Sequence, residues 1–522
     1  MLHRRKLTVL VSALVLAGAA VATPAAALDD PARHGHGHGP TAPEKFVKKV
    51  SERAVYRHLQ ELQRIAERND GNRAALTPGY EASARYVEKT LRKAGYTTTR
   101  DPFTFDLEVV DAATLTVAGG ETYDVDQMTF AVNTPVGGIT APLALPAAPD
   151  TLGCTAADWA GTSVAGSIAL VSRGGCTFAI KVTNAEAAGA VGVAVYNNVP
   201  DVLLNGTLGA EGIASVPAAG LTQADGQALA AQAAAGPVTV TLDTRAHPET
   251  RESFNVIAQT RAGRTDNVVM LGAHLDGVED GPGINDNGTG SAVLLETAVQ
   301  LGKDKRLPNA VRFAWWGAEE LGLIGSTAYV EDLVAQPGEI DKIATYLNFD
   351  MVGSPNYIIG VYDADQSTHP APVPVPPGSA ETEDVLTGWF DSIGQPWVDT
   401  QFSGRSDYQA FILNGVPASG LFTGADGVKT DAEVALFGGT AGITHDPNYH
   451  SPGDDLSNVN RKALRIMTAA VAYATYSLAL DTSAVNGVES PTDPRPGHGH
   501  GPGKGRSDVG RNGHQEGWDR AA

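Results

Sequence analysis

Asn267-Val268-Val269-Met270-Leu271-Gly272-Ala273-His274-Leu275-Asp276, followed after a short gap by Gly283-Ile284-Asn285-Asp286-Asn287-Gly288, is the stretch on which the fold of this chain turns. Residues 267–273 are close to continuously apolar. A short run of that kind reads as a strand covered on both faces, as in a parallel sheet sandwiched between helices. The run ends in a histidine and a carboxylate. A second carboxylate, Asp286, sits in a Gly-rich loop just before a helical stretch, Thr289–Leu301. These residues look like half of a metal site placed at the end of a strand.

Further along, the same alternation repeats. Apolar strands are expected at Ala310–Trp316, Ile343–Phe349 and Val416–Phe422. Helices are expected at Ser326–Ala335, Glu381–Ile393 and Arg461–Leu480, the last with Leu464, Met467, Val471 and Leu478 on one stripe. The expected fold class is therefore α/β, with a mostly parallel or mixed central sheet flanked by helices. Upstream, Val50–Glu67 and Tyr80–Ala94 read as helices separated by the polar break Asn69–Pro78, and Phe103–Val109 alternates like a strand. Between about Gly137 and Arg245 the composition shifts to Ala, Gly and Val, with a strand–helix–strand unit at Ile168–Val171, Phe178–Ala188 and Val191–Tyr196 and no catalytic cluster.

Ligands in parallel α/β sheets gather outside the carboxyl ends of strands. His274 and Asp276 follow one strand, Glu319 and Glu320 a second and Asp350 a third, and His450 supplies another imidazole. These residues can therefore converge although they are far apart in sequence. Imidazole nitrogen and carboxylate oxygen suit zinc, with a position left for water. Two ions roughly 3.5–4 Å apart need a carboxylate between them. Asp286 is assigned as that bridge, with His274 and Asp350 on one ion and Glu320 and His450 on the other. Asp276, two residues from His274, is placed to fix the imidazole tautomer. Glu319 is then an uncoordinated carboxylate beside the metals and fits a general base acting on water. Each of these features alone is ordinary: a hydrogen-bonded His-x-Asp pair, a charged helix start, a turn cap. Their joint occurrence in chain order, after strands, carries the assignment.

The motifs Gly272–Asp276, Gly283–Gly290, Trp316-Gly317-Ala318-Glu319-Glu320-Leu321-Gly322-Leu323, Asn348-Phe349-Asp350-Met351-Val352-Gly353 and Tyr449-His450 resemble the M28 family of zinc aminopeptidases, in particular secreted bacterial members of the Streptomyces and Aeromonas type. The resemblance spans residues 45–135 and 246–482. It implies two Zn2+ per chain and release of the first residue, leucine-like and apolar, from peptides with a free amine. It also implies that Tyr449 stabilises the oxyanion and that Arg405, in Ser403-Gly404-Arg405-Ser406-Asp407, binds substrate near its amino terminus. One departure concerns cysteines that flank the Tyr-His pair in close relatives; here Asn448 and Pro452 stand instead, so other contacts must hold that loop. The intervening segment 136–245 resembles the protease-associated (PA) domain through Gly153-Cys154, Val164-Ala165-Gly166, Leu170–Gly174, Cys176, Asn184-Ala185 and Tyr196-Asn197-Asn198, which implies a non-catalytic lid or gating module. Glutaminyl cyclases resemble the same family but bind one zinc through Asp, Glu and His. The same metal set also serves carboxypeptidases on this fold. A catalytically dead peptide-binding relative would be expected to lose ligands, and this chain keeps every ligand type.

The ends and composition fit an exported protein. Arg4, Arg5 and Lys6, the apolar run Leu7–Ala22 and Ala25-Ala26-Ala27 read as a signal peptide over residues 1–27. No later stretch reads as apolar enough to span a bilayer. Segments 28–44 and 483–522 are rich in Gly, Pro and His, including His34-Gly35-His36-Gly37-His38, and read as flexible tails. Cys154 and Cys176 are the only cysteines and, in an exported chain, are expected to pair as a disulfide. A formal charge of −21 argues against nucleic acid as a partner. A secreted monomer acting on peptide or protein N-termini, with no membrane attachment after signal cleavage, is the expectation.

Overall fold

The computed structural model describes residues 41–148, 151–200 and 202–489. The signal peptide, both His-Gly repeats and most of the two tails lie outside the described residues. Three helices come first: α1 (Ala42–Val47), α2 (Glu52–Glu67) and α3 (Pro78–Lys93). Each starts at a Ser or Thr whose hydroxyl accepts a backbone amide: Thr41 from Glu44, Ser51 from Ala54, Thr77 from Tyr80. The chain then enters β1 (Thr98–Val117), a strand of 20 residues that runs well past the Phe103–Val109 expected.

The inserted unit follows. It comprises β2 (Thr122–Asp124), β3 (Asp126–Gln127), β4 (Ile139–Ala144), β5 (Ile168–Ser172), α4 (Phe178–Ala187), β6 (Gly192–Tyr196), β7 (Ala218–Leu221) and α5 (Gln223–Ala235). Strands β4, β5, β6 and β7 pair in parallel, and Cys154 is bonded to Cys176. The chain returns along β8 (Thr239–Gln259), which is antiparallel to β1 from Thr98↔Ala258 to Val117↔Val240. The early part of β8 also pairs with β4 and its late part with β10 (Asn309–Trp316), so one strand belongs to both sheets. The boundary drawn at 245/246 therefore falls inside a strand. Mid-ribbon, Thr104, Asp106, Glu108, Thr250 and Glu252 are exposed.

The rest of the catalytic unit is β9 (Arg264–His274), α6 (Gly290–Leu301), β10, α7 (Ile324–Ala335), β11 (Ile343–Phe349), β12 (Gly360–Tyr362), α8 (Ser379–Ser392), β13 (Val398–Thr400), α9 (Tyr408–Leu413), β14 (Ala418–Phe422), α10 (Asp431–Phe437), α11 (Arg461–Leu480) and α12 (Ser483–Asn486). Its sheet runs β13-β12-β14-β11-β9-β10-β8. Strands β14, β11, β9 and β10 are mutually parallel, so their carboxyl ends share one edge. Alternate side chains feed two cores. Val269, Leu271, Ala273, Phe313, Trp315 and Leu347 face α2, α3, α6 and α11, whereas Val268, Met270, Trp316 and Tyr346 meet residues of α7 and α9. Burial on both faces is why these strands read as continuous apolar runs.

Three expectations need correction. The last residues of the segment taken as flexible, 28–44, begin α1, because a Thr41–Glu44 capping box forms and Phe46 stacks on Tyr476 with ring centroids 4.8 Å apart. The segment 483–522 likewise begins with α12, tied down by buried Val485 and by Asn486 Nδ2 donating to Asn267 Oδ1 at 2.7 Å. Third, α11 is long and apolar enough, at mean hydropathy 1.3, to cross a bilayer by length and composition. Its apolar residues are instead packed in the core of the catalytic unit.

Gly272 in β9 is required by a close approach. A Cβ there would lie 2.1 Å from the Tyr346 hydroxyl and 2.4 Å from Trp316 Nε1, which are hydrogen-bonded to each other at 2.9 Å above the strand. Gly272→Ala is expected to destabilise the protein by about 1–3 kcal/mol through overpacking. In a urea titration followed by tryptophan fluorescence, the midpoint should fall without a change in slope.

Candidate metal centre

His274 is the last residue of β9, and Ser291 Oγ donates to its carbonyl at 2.6 Å. Its Nδ1 faces the backbone carbonyl of Asp276 at 3.1 Å, an acceptor, so Nδ1 carries the proton and Nε2 is left as a donor atom toward the site. Nε2 lies 3.2 Å from Asp286 Oδ1, 3.2 Å from Asp350 Oδ1 and 3.8 Å from Glu319 Oε2. On the other side, His450 Nε2 lies 3.1 Å from Asp286 Oδ2 and 2.9 Å from Glu320 Oε2. The structure thus brings together His274, Asp286, Glu319, Glu320, Asp350 and His450. The two oxygens of Asp286 face two different groups of donors.

The Asp276 carboxylate is used differently from the expectation. It stands 3.9 Å from His274 Nδ1 and accepts instead the backbone amides of Glu319 and Glu320, both at 3.3 Å. Its main chain orients the imidazole while its side chain positions the adjacent glutamate pair.

Charge in the cluster is unbalanced. Burial alone would raise Asp286, but hydrogen bonds from His274 and His450 hold it well below the usual carboxylate range. Burial, reinforced by Asp286, pushes Glu320 up to about 7. Burial also raises Glu319 well above its ordinary value, against the pull of His274. Burial opposes charge on both histidines, yet Asp350 and Glu319 lift His274 well above normal, and Asp286 and Glu320 lift His450 to about 10. Four carboxylates and two imidazoles are therefore gathered with too little positive charge. Glu320 Oε1 is buried without a donor. Two donors in tetrahedral array about an ion at about 2.0–2.2 Å sit roughly 3.3–3.6 Å apart. The observed spacings of 2.9–3.2 Å are a few tenths of an ångström shorter than that, so a small outward shift of the side chains admits an ion. The residues present fit divalent metal of the borderline type.

Supporting residues that carry no motif of their own complete the site. Arg73, fully buried in the break that reads as a simple linker, donates to the carbonyls of Leu275, Pro282 and Gly283 and ties the two ligand-bearing segments together. Asp454 accepts the backbone amides of Asn285 at 2.8 Å and Asp286 at 2.9 Å; burial pushes it up to about 7. Ser406 Oγ donates to Asp350 Oδ2 at 2.5 Å and accepts from Asn348 Nδ2 at 2.8 Å. Asp407 is wholly buried with both oxygens unpartnered, and burial drives it up to about 8. Only Asp454 carried a usable sequence signal, an aspartate four residues beyond a ligand histidine.

Tyr449 stacks on His450, with ring centroids 3.8 Å apart, and burial holds its phenol well above 10. Arg405 pairs with Asp426 at 2.9 Å, and its other nitrogen is 3.5 Å from the Tyr449 hydroxyl. Both members of that pair are more than a third exposed, so it is a rim salt bridge of small energetic weight. Asp286, Glu319, Glu320, Asp350 and His450 line a cavity of about 660 Å3 whose apolar lining includes Met351, Ile358, Tyr362 and Phe422. Among the described residues lining it, none comes from the inserted unit.

Comparison with known proteins follows the same division. Residues 255–475 match Peptidase family M28 and residues 139–229 match the PA domain. The chain is 44% identical over 466 residues to the probable lipoprotein aminopeptidase LpqL of Mycobacterium tuberculosis, covering 87% of this chain and 91% of that one. It is 45% identical over 417 residues to the probable leucine aminopeptidase 2 of Aspergillus fumigatus, covering 79% and 80%. Among solved structures, a zinc aminopeptidase from Bacillus subtilis aligns with a TM-score of 0.62 at 26% identity, covering 84% of this chain and 98% of that one.

A proton count tests the donor set. With His450 lifted to about 10, the metal-free site holds a proton there at pH 8, and a metal can use only the neutral imidazole. Zinc added to metal-free protein at pH 8 should therefore release protons, and apparent affinity should weaken as pH falls below about 10. Calorimetric titration in buffers of different ionisation enthalpy reads this directly. An enthalpy independent of buffer would contradict the assignment of His450.

Proposed function

This chain belongs to peptidase family M28, carries an inserted PA domain and is a metallo-aminopeptidase; from that premise we propose that it is an exported monomer that uses two zinc ions to release an apolar, leucine-like first residue from peptides and protein N-termini. The observation that supports two ions rather than one is Asp286. Its Oδ1 belongs with His274 and Asp350, and its Oδ2 with His450 and Glu320. The Bacillus subtilis relative is described as a zinc enzyme, which supports that metal. Bound in these positions, zinc supplies Lewis acidity toward the scissile carbonyl and lowers the pKa of an attacking water toward about 7.

The chain's own groups do the rest. Glu319, whose Oε2 lies 3.8 Å from His274 Nε2, takes the proton that the attacking water loses. Burial, which raises its affinity for that proton, suits it to hand the same proton to the departing amine nitrogen as the C–N bond breaks. The Tyr449 phenol stays protonated and donates toward the oxygen that gains charge. Arg405, held by Asp426 beside Tyr449, binds the peptide backbone at the rim. The apolar lining residues Met351, Ile358 and Phe422 receive the first side chain, which supports an apolar preference. Export is supported by the signal-like N-terminus and by the Cys154–Cys176 disulfide, which persists in oxidising compartments.

Hydrolysis of leucine p-nitroanilide, acetyl-leucine p-nitroanilide and lysine p-nitroanilide by the full chain tests this function. The expected order is rapid cleavage of the leucine substrate, slower cleavage of lysine and none of the acetylated compound. Equal cleavage with and without the acetyl group would overturn the aminopeptidase assignment. Glu319→Gln should lower kcat at least about a hundredfold, the scale of general acid–base catalysis, with bound zinc still near two per chain by elemental analysis.

A further inference from the structure

The segment that carries Tyr449 and His450 has no cysteines at Asn448 or Pro452 to brace it. What braces it is a buried ring of carboxylates and carboxamides. Asp446, at its start, accepts Asn285 Nδ2 at 2.7 Å, the Asn448 amide at 2.8 Å, and Asn458 Nδ2 at 3.0 and 2.9 Å on its two oxygens. Asp454, at its end, accepts the amides of Asn285 and Asp286 and also Asn458 Nδ2 at 3.0 Å. Asn458 Oδ1 in turn accepts Asn448 Nδ2 at 2.8 Å. Asn285, Asp446, Asp454 and Asn458 are each no more than 3% exposed.

The chemistry of the ring is directional. Ionised carboxylates only accept, and in this ring every donor to them is a neutral amide. A buried carboxylate deprived of a donor is expensive, so the ring tolerates one arrangement. Asn458 is the side chain whose amide reaches both carboxylates. Through Asp446 and Asn448 it holds the segment of His450. Through Asp454 it holds the amide of Asp286.

We propose that Asn458 is a positioning residue that fixes the His450 segment against the Asp286 segment, taking the place of a covalent brace and setting the affinity of the zinc position formed by His450, Glu320 and Asp286 Oδ2. This rests on the reading that those residues hold zinc. The position formed by His274 and Asp350 is anchored separately, through the Asp276 carbonyl and Ser406, so the two positions respond unequally to loss of the ring.

The test uses full-length Asn458→Ala, together with Asn448→Ala, which removes only the donor to Asn458 Oδ1. Hydrogen exchange of the metal-free proteins should show lost protection confined to residues 446–455 and 285–286. Zinc titration against a chromophoric chelator should show one of two sites weakened about 10–100-fold and the other, which shares only Asp286 with it, weakened much less, with the same direction and a smaller size in Asn448→Ala. Activity of Asn458→Ala should recover at high zinc. Equal weakening of both sites, unchanged affinities, or protection lost across the whole protein would overturn the proposal. Wild-type protein that binds fewer than two zinc ions would sink the two-zinc reading instead, while the exchange pattern would still decide whether Asn458 holds the two segments together.

Discussion

The site depends on crowding four carboxylates, Asp286, Glu319, Glu320 and Asp350, at one edge of a parallel sheet. Like charges buried this closely repel, and desolvation adds to the cost. Only two imidazoles lie among them, so the arrangement is incomplete without further positive charge. The surrounding structure answers that demand. Backbone amides point at Asp276 and Asp454, Arg73 pins the two ligand-bearing segments through their carbonyls, and Ser406 fixes one oxygen of Asp350. None of these contacts supplies a net neutralising charge directly to the ligand oxygens. The protein orients the carboxylates and leaves their charge for metal to compensate.

Which parts of this were legible in the sequence follows from the range of the interactions involved. His274, Glu319, Glu320 and Asp350 sit at or just after the ends of apolar strands, so strand periodicity and residue type locate them together. Asp286 and His450 stand in loops that lack periodicity, so their assignment rested on residue type and on the need for a bridge and a second imidazole, and the motif resemblance then agreed with it. Arg73 could not have been found: it acts on carbonyls some 200 positions away and its local context is an unremarkable polar break. The role of Asp276 was half visible, since spacing indicated a partner for His274 but not that the main chain would serve while the side chain turned to the Glu319 and Glu320 amides. The length of β1 was hidden for another reason. Beyond Val109 the alternation lapses, with Val110 and Asp111 both exposed and the register shifting between Val110 and Ala112, so the pattern that marks Phe103–Val109 does not continue along the rest of the strand.

Arg405 stands at the rim of the cavity, in contact with the two groups that frame its proposed role. Its guanidinium is already engaged by Asp426 at the cavity rim, and the phenol of Tyr449 is its other neighbour. On the proposed reading, a cation so placed meets carbonyl oxygens of the peptide and not its ammonium. Whatever Arg405 contributes therefore comes through the peptide backbone or through Tyr449, and its weight is limited by exposure to water.

The β1–β8 ribbon carries a consequence for how the chain assembles. Its first and last pairs, Val117↔Val240 and Thr98↔Ala258, join residues well over a hundred positions apart, so the edge of the catalytic sheet closes a very long loop. Closure of long loops is slow and entropically costly. The insertion lies entirely within that loop, and its own strands β4 to β7 pair over short separations. Once it folds, Val117 and Val240 are already neighbours, and the ribbon can zip from that end toward the catalytic sheet one pair at a time. The insertion thus shortens the loop that the edge of the catalytic sheet has to close, a topological effect separate from substrate access.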